Sequence, residues 1–210
     1  MKISYAILVH NESEELLKLL DQILEYKDDE DEIVILDDYS DNEETKKILD
    51  AYVSINDIVY EQRHLNKDFA SQKNYLKDMC SGDYIVNLDA DEFITESFIS
   101  WLKPILKENP TIDLYWVSRI NKVSNITQEH INKWGWNVNE KGWINYPDYQ
   151  GRIWKNRPNI RWERPVHEIL VGHKEHGFWP EDEEGKGHFS IWHIKDIEKQ
   201  EKQNEFYEDI

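Results

Sequence analysis

Gly82-Asp83-Tyr84-Ile85-Val86-Asn87-Leu88-Asp89-Ala90-Asp91-Glu92 is the stretch on which the reading of the fold turns. Residues 83–88 are a short, mostly apolar run that leaves no room for a helix and suits a buried strand. The run ends in an Asp-x-Asp. In extended backbone, residues two apart project to the same side, so Asp89 and Asp91 can converge on one hard cation. Acidic triplets at strand ends are also ordinary loops and helix caps, and the pair gains meaning only from its surroundings.

Working back toward the N-terminus, strand and helix alternate. Residues 69–80 read as a helix stopped near Gly82, and 58–60 as a strand. Asp41 with Glu44 is expected to cap a helix whose apolar face carries Ile48, Leu49 and Tyr52. Residues 32–36 form a strand ending in Asp37 and Asp38, preceded by an acidic stretch, 27–32, read as a solvated loop. Leu16, Leu19, Leu20, Ile23 and Leu24 make one helical stripe, with Asn11 and Glu14 as a capping-box-like start. Residues 3–9 are the first strand. Such alternation predicts an α/β fold, a mostly parallel sheet with helices on its faces. Ligands in these sheets sit beyond the carboxyl ends of the strands. His10-Asn11-Glu12, Asp37-Asp38 and Asp89-Asp91-Glu92 all follow strand ends and should meet at one edge.

Toward the C-terminus the character changes. Residues 95–108 look helical, with Pro104 expected to kink or split the helix, and 113–120 look like another strand. Aromatic and proline residues then crowd the chain: Trp134, Trp136, Trp143, Tyr146, Tyr149, Trp154, Trp162 and Trp179. No repeat or linker marks a second domain. The polar stretch 195–210 reads as an exposed helix.

The chain has 210 residues, a size that suits one domain with a sizeable core. Its 32% charged and 39% hydrophobic residues suit a soluble globular protein. A net charge of -18 repels phosphate backbones and argues against general nucleic-acid binding. No run approaches the roughly 20 apolar residues of a membrane span, and the apolar start before His10 is too short for a secretory core. The single cysteine, Cys80, cannot form an internal disulfide, so a cytoplasmic location is the expectation. The acidity sets one condition: a site for an anionic diphosphate must bring its own positive charge, as a metal ion or as placed Lys and Arg residues.

In order along the chain, Ile-Leu-Val-His-Asn-Glu (7–12), Asp-Asp-Tyr-Ser-Asp-Asn (37–42), Asp-Phe-Ala-Ser-Gln-Lys-Asn (68–74) and the stretch 82–92 resemble the family-2 glycosyltransferases, inverting enzymes of GT-A fold. Residues 147–154 and Arg164-Pro165-Val166-His167-Glu168 resemble a branch with a Val-His-Glu signature. The resemblance implies one GT-A domain over 1–210. Residues 1–120 would be its nucleotide-sugar half, 121–194 an acceptor-side subdomain and 195–210 a C-terminal helix. It implies sugar transfer from a nucleotide diphosphate donor, UDP-linked, to a glycan, protein or small-molecule acceptor.

The resemblance also implies roles. His10, Asn11 and Glu12 border the nucleotide, although Asn11 and Glu12 are equally suited to capping the first helix. Asp38 accepts a hydrogen bond from a uracil-type base, and Asp37 serves the fold. Lys73 meets donor phosphate or base, where the plain alternative is an exposed helix lysine. Asp89 and Ala90 border the donor, and Asp91 ligates a divalent ion with Asp89 beside it. His167 resembles a third ligand returning from the second half. A neutral imidazole beside carboxylate and phosphate oxygens suits Mn2+ better than Ca2+, with Mg2+ the other ion expected. His193 matches a histidine that follows the last strand, where it touches the diphosphate or packs. Inverting displacement needs a base for the acceptor hydroxyl. Asp148, four residues before Arg152, takes that position, but Pro147 stands where the family carries a glutamate, so Glu168 and Glu163 remain rivals. Two other classes stay open. A nucleotidyltransferase would want a Gly- and Arg-rich phosphate loop after the first strand, which His10-Asn11-Glu12 is not. A binding module without turnover would lack the base.

Overall fold

The computed structural model describes residues 1–182 and 184–208. The first half alternates as expected: β1 (Ile3–Val9), α1 (Glu14–Tyr26), β2 (Glu32–Asp37), α2 (Glu43–Ile55), β3 (Ile58–Gln62), α3 (Phe69–Met79) and β4 (Tyr84–Asp89). The chain continues through β5 (Glu92–Phe93), α4 (Glu96–Glu108), β6 (Leu114–Ser124), α5 (Gln128–Trp134) and β7 (Ile144–Lys155). It ends in β8 (Arg161–Glu163), β9 (Ile169–Val171), β10 (His176–Phe178), β11 (Ile191–Asp196) and α6 (Ile197–Glu208).

Among the described residues, nine strands form one sheet in the order β3-β2-β1-β4-β7-β6-β11-β5, with β10 also paired to β6. β3, β2, β1 and β4 are mutually parallel. β7 enters antiparallel between β4 and β6, and β11 returns parallel to β6. Strands from 121–194 therefore extend the same sheet, while β8 and β9 pair apart from it.

Both faces are buried, as a parallel sheet requires. On one face Tyr5, Ile7 and Val86 meet the apolar stripes of α1, α2 and α4. On the other, Ala6, Val34 and Ile85 meet Ala70 and Leu76 of α3 with Trp154 and Trp162.

Several local expectations are corrected by tertiary contacts. Asn11 does not cap α1. The N-cap is Ser13, without a side-chain bond, and Asn11, at φ 70, accepts instead from the Asp41 and Asn42 amides at 2.8 and 2.9 Å. The α2 cap is Asn42, not Asp41; its side chain accepts from Glu44 and Thr45. Asp31 is not solvated: it is buried, accepting from the Ile3 amide and pairing with Lys103 at 2.8 Å. α4 is not split at Pro104, and its helix continues to Glu108. A proline in a helix costs about 3 kcal/mol or more, whereas burying Phe98, Ile99, Leu102 and Leu106 contributes roughly 1.5–3 kcal/mol each. The expected helix over 195–210 begins only at Ile197. Lys195 belongs to β11 and is 7% exposed. Asp209 and Ile210 lie outside the described residues.

Candidate active site

A cavity of about 700 Å³ opens where the carboxyl ends of β1, β2 and β4 meet β6, β7 and β11. Its lining includes His10, Glu12, Asp38, Lys73, Asp89, Ala90, Asp91, Asp148, Glu168 and His193. The structure thus brings together most of the residues singled out in the sequence. Asn11, Glu163 and His167 do not line it. Asn11 braces the turn that carries Asp38. Glu163 is exposed on β8. His167, exposed and at φ 54, lines a neighbouring cavity of about 380 Å³ with Asp89, Arg119, Gln150 and Arg152.

At one end of the large cavity, Asp38 Oδ1 accepts from the Leu65 amide at 2.8 Å. His10 Nδ1 sits 2.9 Å from the Asp38 carbonyl. Asp37, its neighbour, points into the protein and accepts from Ser40, Tyr60 and Gln62. Glu12 accepts from the His10 amide at 2.7 Å. Burial pushes its carboxyl up to about 7, against the backbone hydrogen bonds at His10 and Glu12 and with the Asp91 charge adding to the rise. Lys73 lies 4.5 Å over the Trp162 ring and is paired with Glu168, a contact shared by the two cavities.

The two aspartates of the Asp-x-Asp are held by different partners. Asp89 Oδ2 accepts from Arg152 Nη2 at 3.0 Å, and the same nitrogen reaches Glu92 at 2.6 Å. Glu92 in turn accepts from the Asp89 amide at 3.0 Å. Burial would raise the Asp89 carboxyl, but the charges of Arg152 and Lys73 outweigh it and hold the group low. Asp91 Oδ2 faces His193 Nε2 at 3.2 Å and Lys195 Nζ at 3.0 Å. Burial acts against ionisation there too, and His193 and Lys195 together overcome it, leaving Asp91 well below the usual carboxylate range.

A chain of hydrogen bonds crosses the cleft from Asp91. His193 Nδ1 lies 2.9 Å from Asn121 Oδ1, and Asn121 Nδ2 donates to Asp148 Oδ2 at 2.9 Å. Asp148 also accepts from Arg119 Nε at 3.0 Å and Gln150 Nε2 at 2.7 Å. Burial would raise its carboxyl, but the Arg119 charge and the bonds from Asn121 and Gln150 lower it on balance.

Residues 4–173 match the family model described as glycosyl transferase family 2. The chain belongs to that family. Three solved structures of S. aureus TarS share its fold, and the GT-A reading of the sheet stands. TarS 1-349 matches with a TM-score of 0.61 at 13% identity, over 92% of this chain and 60% of that one. TarS 1-349 in complex with UDP-GlcNAc matches at 0.52 and 16%, over 87% and 60%. A longer TarS chain matches at 0.53 and 17%, over 78% and 30%. The chain therefore spans between 30 and 60% of the length of these relatives. No curated protein matches it in sequence.

In this glycosyl transferase family 2 chain, no group of three metal-binding side chains converges among the described residues. His167, expected as a third ligand, lines the other cavity rather than the one that holds Asp91. The donors at Asp91 nonetheless fit a hard divalent ion. Mg2+-type sites use one or two carboxylates and complete the shell with water and substrate phosphate. His193 adds an imidazole whose Nδ1 is fixed on Asn121, so its Nε2 is aimed at Asp91, the second-layer support that metal-binding histidines use. Sequence reasoning missed Arg119, Asn121 and Lys195. The signal for Lys195 was present, since Ile191, His193 and Lys195 alternate along one face of a strand.

Proposed function

We propose that the protein transfers a sugar from a nucleoside diphosphate donor, UDP-linked, to an acceptor hydroxyl with inversion, supported by a divalent ion, Mn2+ or Mg2+, at Asp91 and His193. The carrying observation is the hydrogen-bonded line Asp91–His193–Asn121–Asp148, which joins a place for the diphosphate to a carboxylate suited to be the base. Family membership supports the reaction class, and a relative of the same fold has been solved with UDP-GlcNAc.

Each residue then has a task. Asp38 accepts a hydrogen bond from the uracil N3–H at the far end of the cleft. Asp89, clamped by Arg152, borders the donor ribose and diphosphate. The bound ion would supply positive charge to the departing diphosphate. Asp148 takes the acceptor hydroxyl's proton as the new glycosidic bond forms and the bond from the anomeric carbon to the diphosphate oxygen breaks. Arg119 keeps Asp148 ionised and oriented for that transfer. Glu163 lies outside the cleft. Asp148 and Glu168 both line it and each is paired with a cation, Arg119 and Lys73; the link through Asn121 and His193 to Asp91 favours Asp148. The acceptor, whether glycan, protein or small molecule, enters beside Pro147, Asp148 and Tyr149.

Calorimetry with UDP and ADP, with Mn2+ and then with excess EDTA, tests the reading. UDP is expected to bind in Mn2+, to weaken in EDTA, and to lose its advantage over ADP in Asp38→Ala. Equal UDP affinity with Mn2+ and with EDTA would remove the ion from the proposal. Equal binding of UDP and ADP by the parent protein would remove Asp38.

A further inference from the structure

Beyond residues 4–173, the segment that matches the family, β11 carries a lysine into the cleft. The Lys195 side chain is 5% exposed, and its Nζ lies 3.0 Å from Asp91 Oδ2. His193 Nε2 meets that same oxygen at 3.2 Å. The parallel register with β6, His193 on Asn121 and Lys195 on Val123, sets both side chains on the face that looks into the cleft. Taking an ammonium out of water is unfavourable unless a fixed partner replaces the solvent. A strand that only had to close the sheet could bury an apolar side chain here, as it does at Ile191.

The other cations lining the cleft are engaged elsewhere: Lys73 with Glu168, and Arg119 with Asp148 and Glu92. Lys195 therefore brings positive charge to the acidic end, where the diphosphate would arrive. We propose that Lys195 stands in for the divalent ion in the empty site and becomes a ligand of the diphosphate in the loaded one. With the cleft empty, its ammonium neutralises Asp91. When the ion and nucleotide enter, the ion takes Asp91, two cations no longer fit on one carboxylate, and the lysine's flexible stem carries the ammonium onto a phosphate oxygen. This role rests on the reading of the cleft as a nucleoside diphosphate site.

The role makes an opposite-sign prediction that a structural lysine does not. In Lys195→Met, bare Mn2+ no longer competes with an ammonium for Asp91. Its affinity, read by the electron paramagnetic resonance of free Mn2+, is expected to rise by about tenfold or more. UDP affinity at saturating Mn2+, read by calorimetry, is expected to fall by about 10- to 100-fold, the loss of one charge-assisted bond. Lys195→Arg, which keeps the cation, is expected to stay within a few fold of the parent in both. Thermal unfolding checks that each variant folds. Should Lys195→Met not fold, the neutral and polar Lys195→Gln serves the same comparison. Loss of both affinities together, or no change in either, overturns the role of Lys195 and leaves the proposed function standing. A parent protein that binds no UDP at all overturns both.

Discussion

Replacing Glu12 with glutamine is expected to stabilise the fold at pH 8 by about 3 kcal/mol and to change it little at pH 4.5. Glu12 lies among the acidic groups of the cleft, and burial raises its carboxyl from 4.5 to about 7. The sign follows from linkage. Below 4.5 the group is protonated folded and unfolded alike, and burial carries no penalty. Between 4.5 and 7 the unfolded chain releases the proton while the folded protein keeps it, so stability falls by about 1.4 kcal/mol per pH unit. Above 7 both forms are ionised and the loss is complete, about 3 kcal/mol in total. Glutamine has nothing to ionise and still offers an oxygen to the His10 amide, which Glu12 holds at 2.7 Å. For a chain of this size, 3 kcal/mol corresponds to a rise of about 6–12 °C in Tm. Urea denaturation and thermal scans of parent and Glu12→Gln, in matched buffers from pH 4.5 to 8.5, measure the difference directly. A stability gap that does not widen with pH would refute the reasoning.

Asp148→Asn is expected to keep UDP affinity and lower sugar transfer by about 10²–10⁴-fold, the usual contribution of a general base; donor hydrolysis by water serves as the assay until an acceptor is found. Transfer at the parental rate in this variant, with loss in Glu168→Gln, would move the base to Glu168. His193→Ala is expected to weaken Mn2+ binding while His167→Ala leaves it near the parental value, because only His193 faces Asp91; Mn2+ titration followed by magnetic resonance decides, and the reverse order would restore His167 as the ligand. Arg152→Met removes the partner of Glu92 and Asp89 from a buried position and is expected to destabilise the protein by about 3–5 kcal/mol in urea denaturation. A loss below 1 kcal/mol would mean that Arg119 alone satisfies Glu92.

The sequence by itself determined the architecture of the first half. Strand and helix spacing from Ile3 to Asp89 needs only local periodicity, because each apolar stripe must be covered by the next element. The same alternation placed His10, Glu12, Asp38, Asp89 and Asp91 at one edge, and the cavity gathers them there. Tertiary structure decided what each group then meets. Asn11 lost its helix-capping role to the turn carrying Asp38, since its side-chain oxygen accepts from the Asp41 and Asn42 amides just before α2. Arg152, buried on β7 beside β4, clamps Asp89, a carboxylate that the resemblance assigned to the donor. His167 was the histidine expected on the ion and His193 one expected to touch the diphosphate or pack; the register of β11 on β6 turned His193 to Asp91. Lys195 is the clearest case. Its charge and the polar tail after it read as an exposed helix, because composition records how polar a segment is and not which neighbour it faces. A fixed anion offsets the cost of burying a lysine's charge, and Asp91, more than a hundred residues away in the chain, becomes that anion only when the sheet has folded.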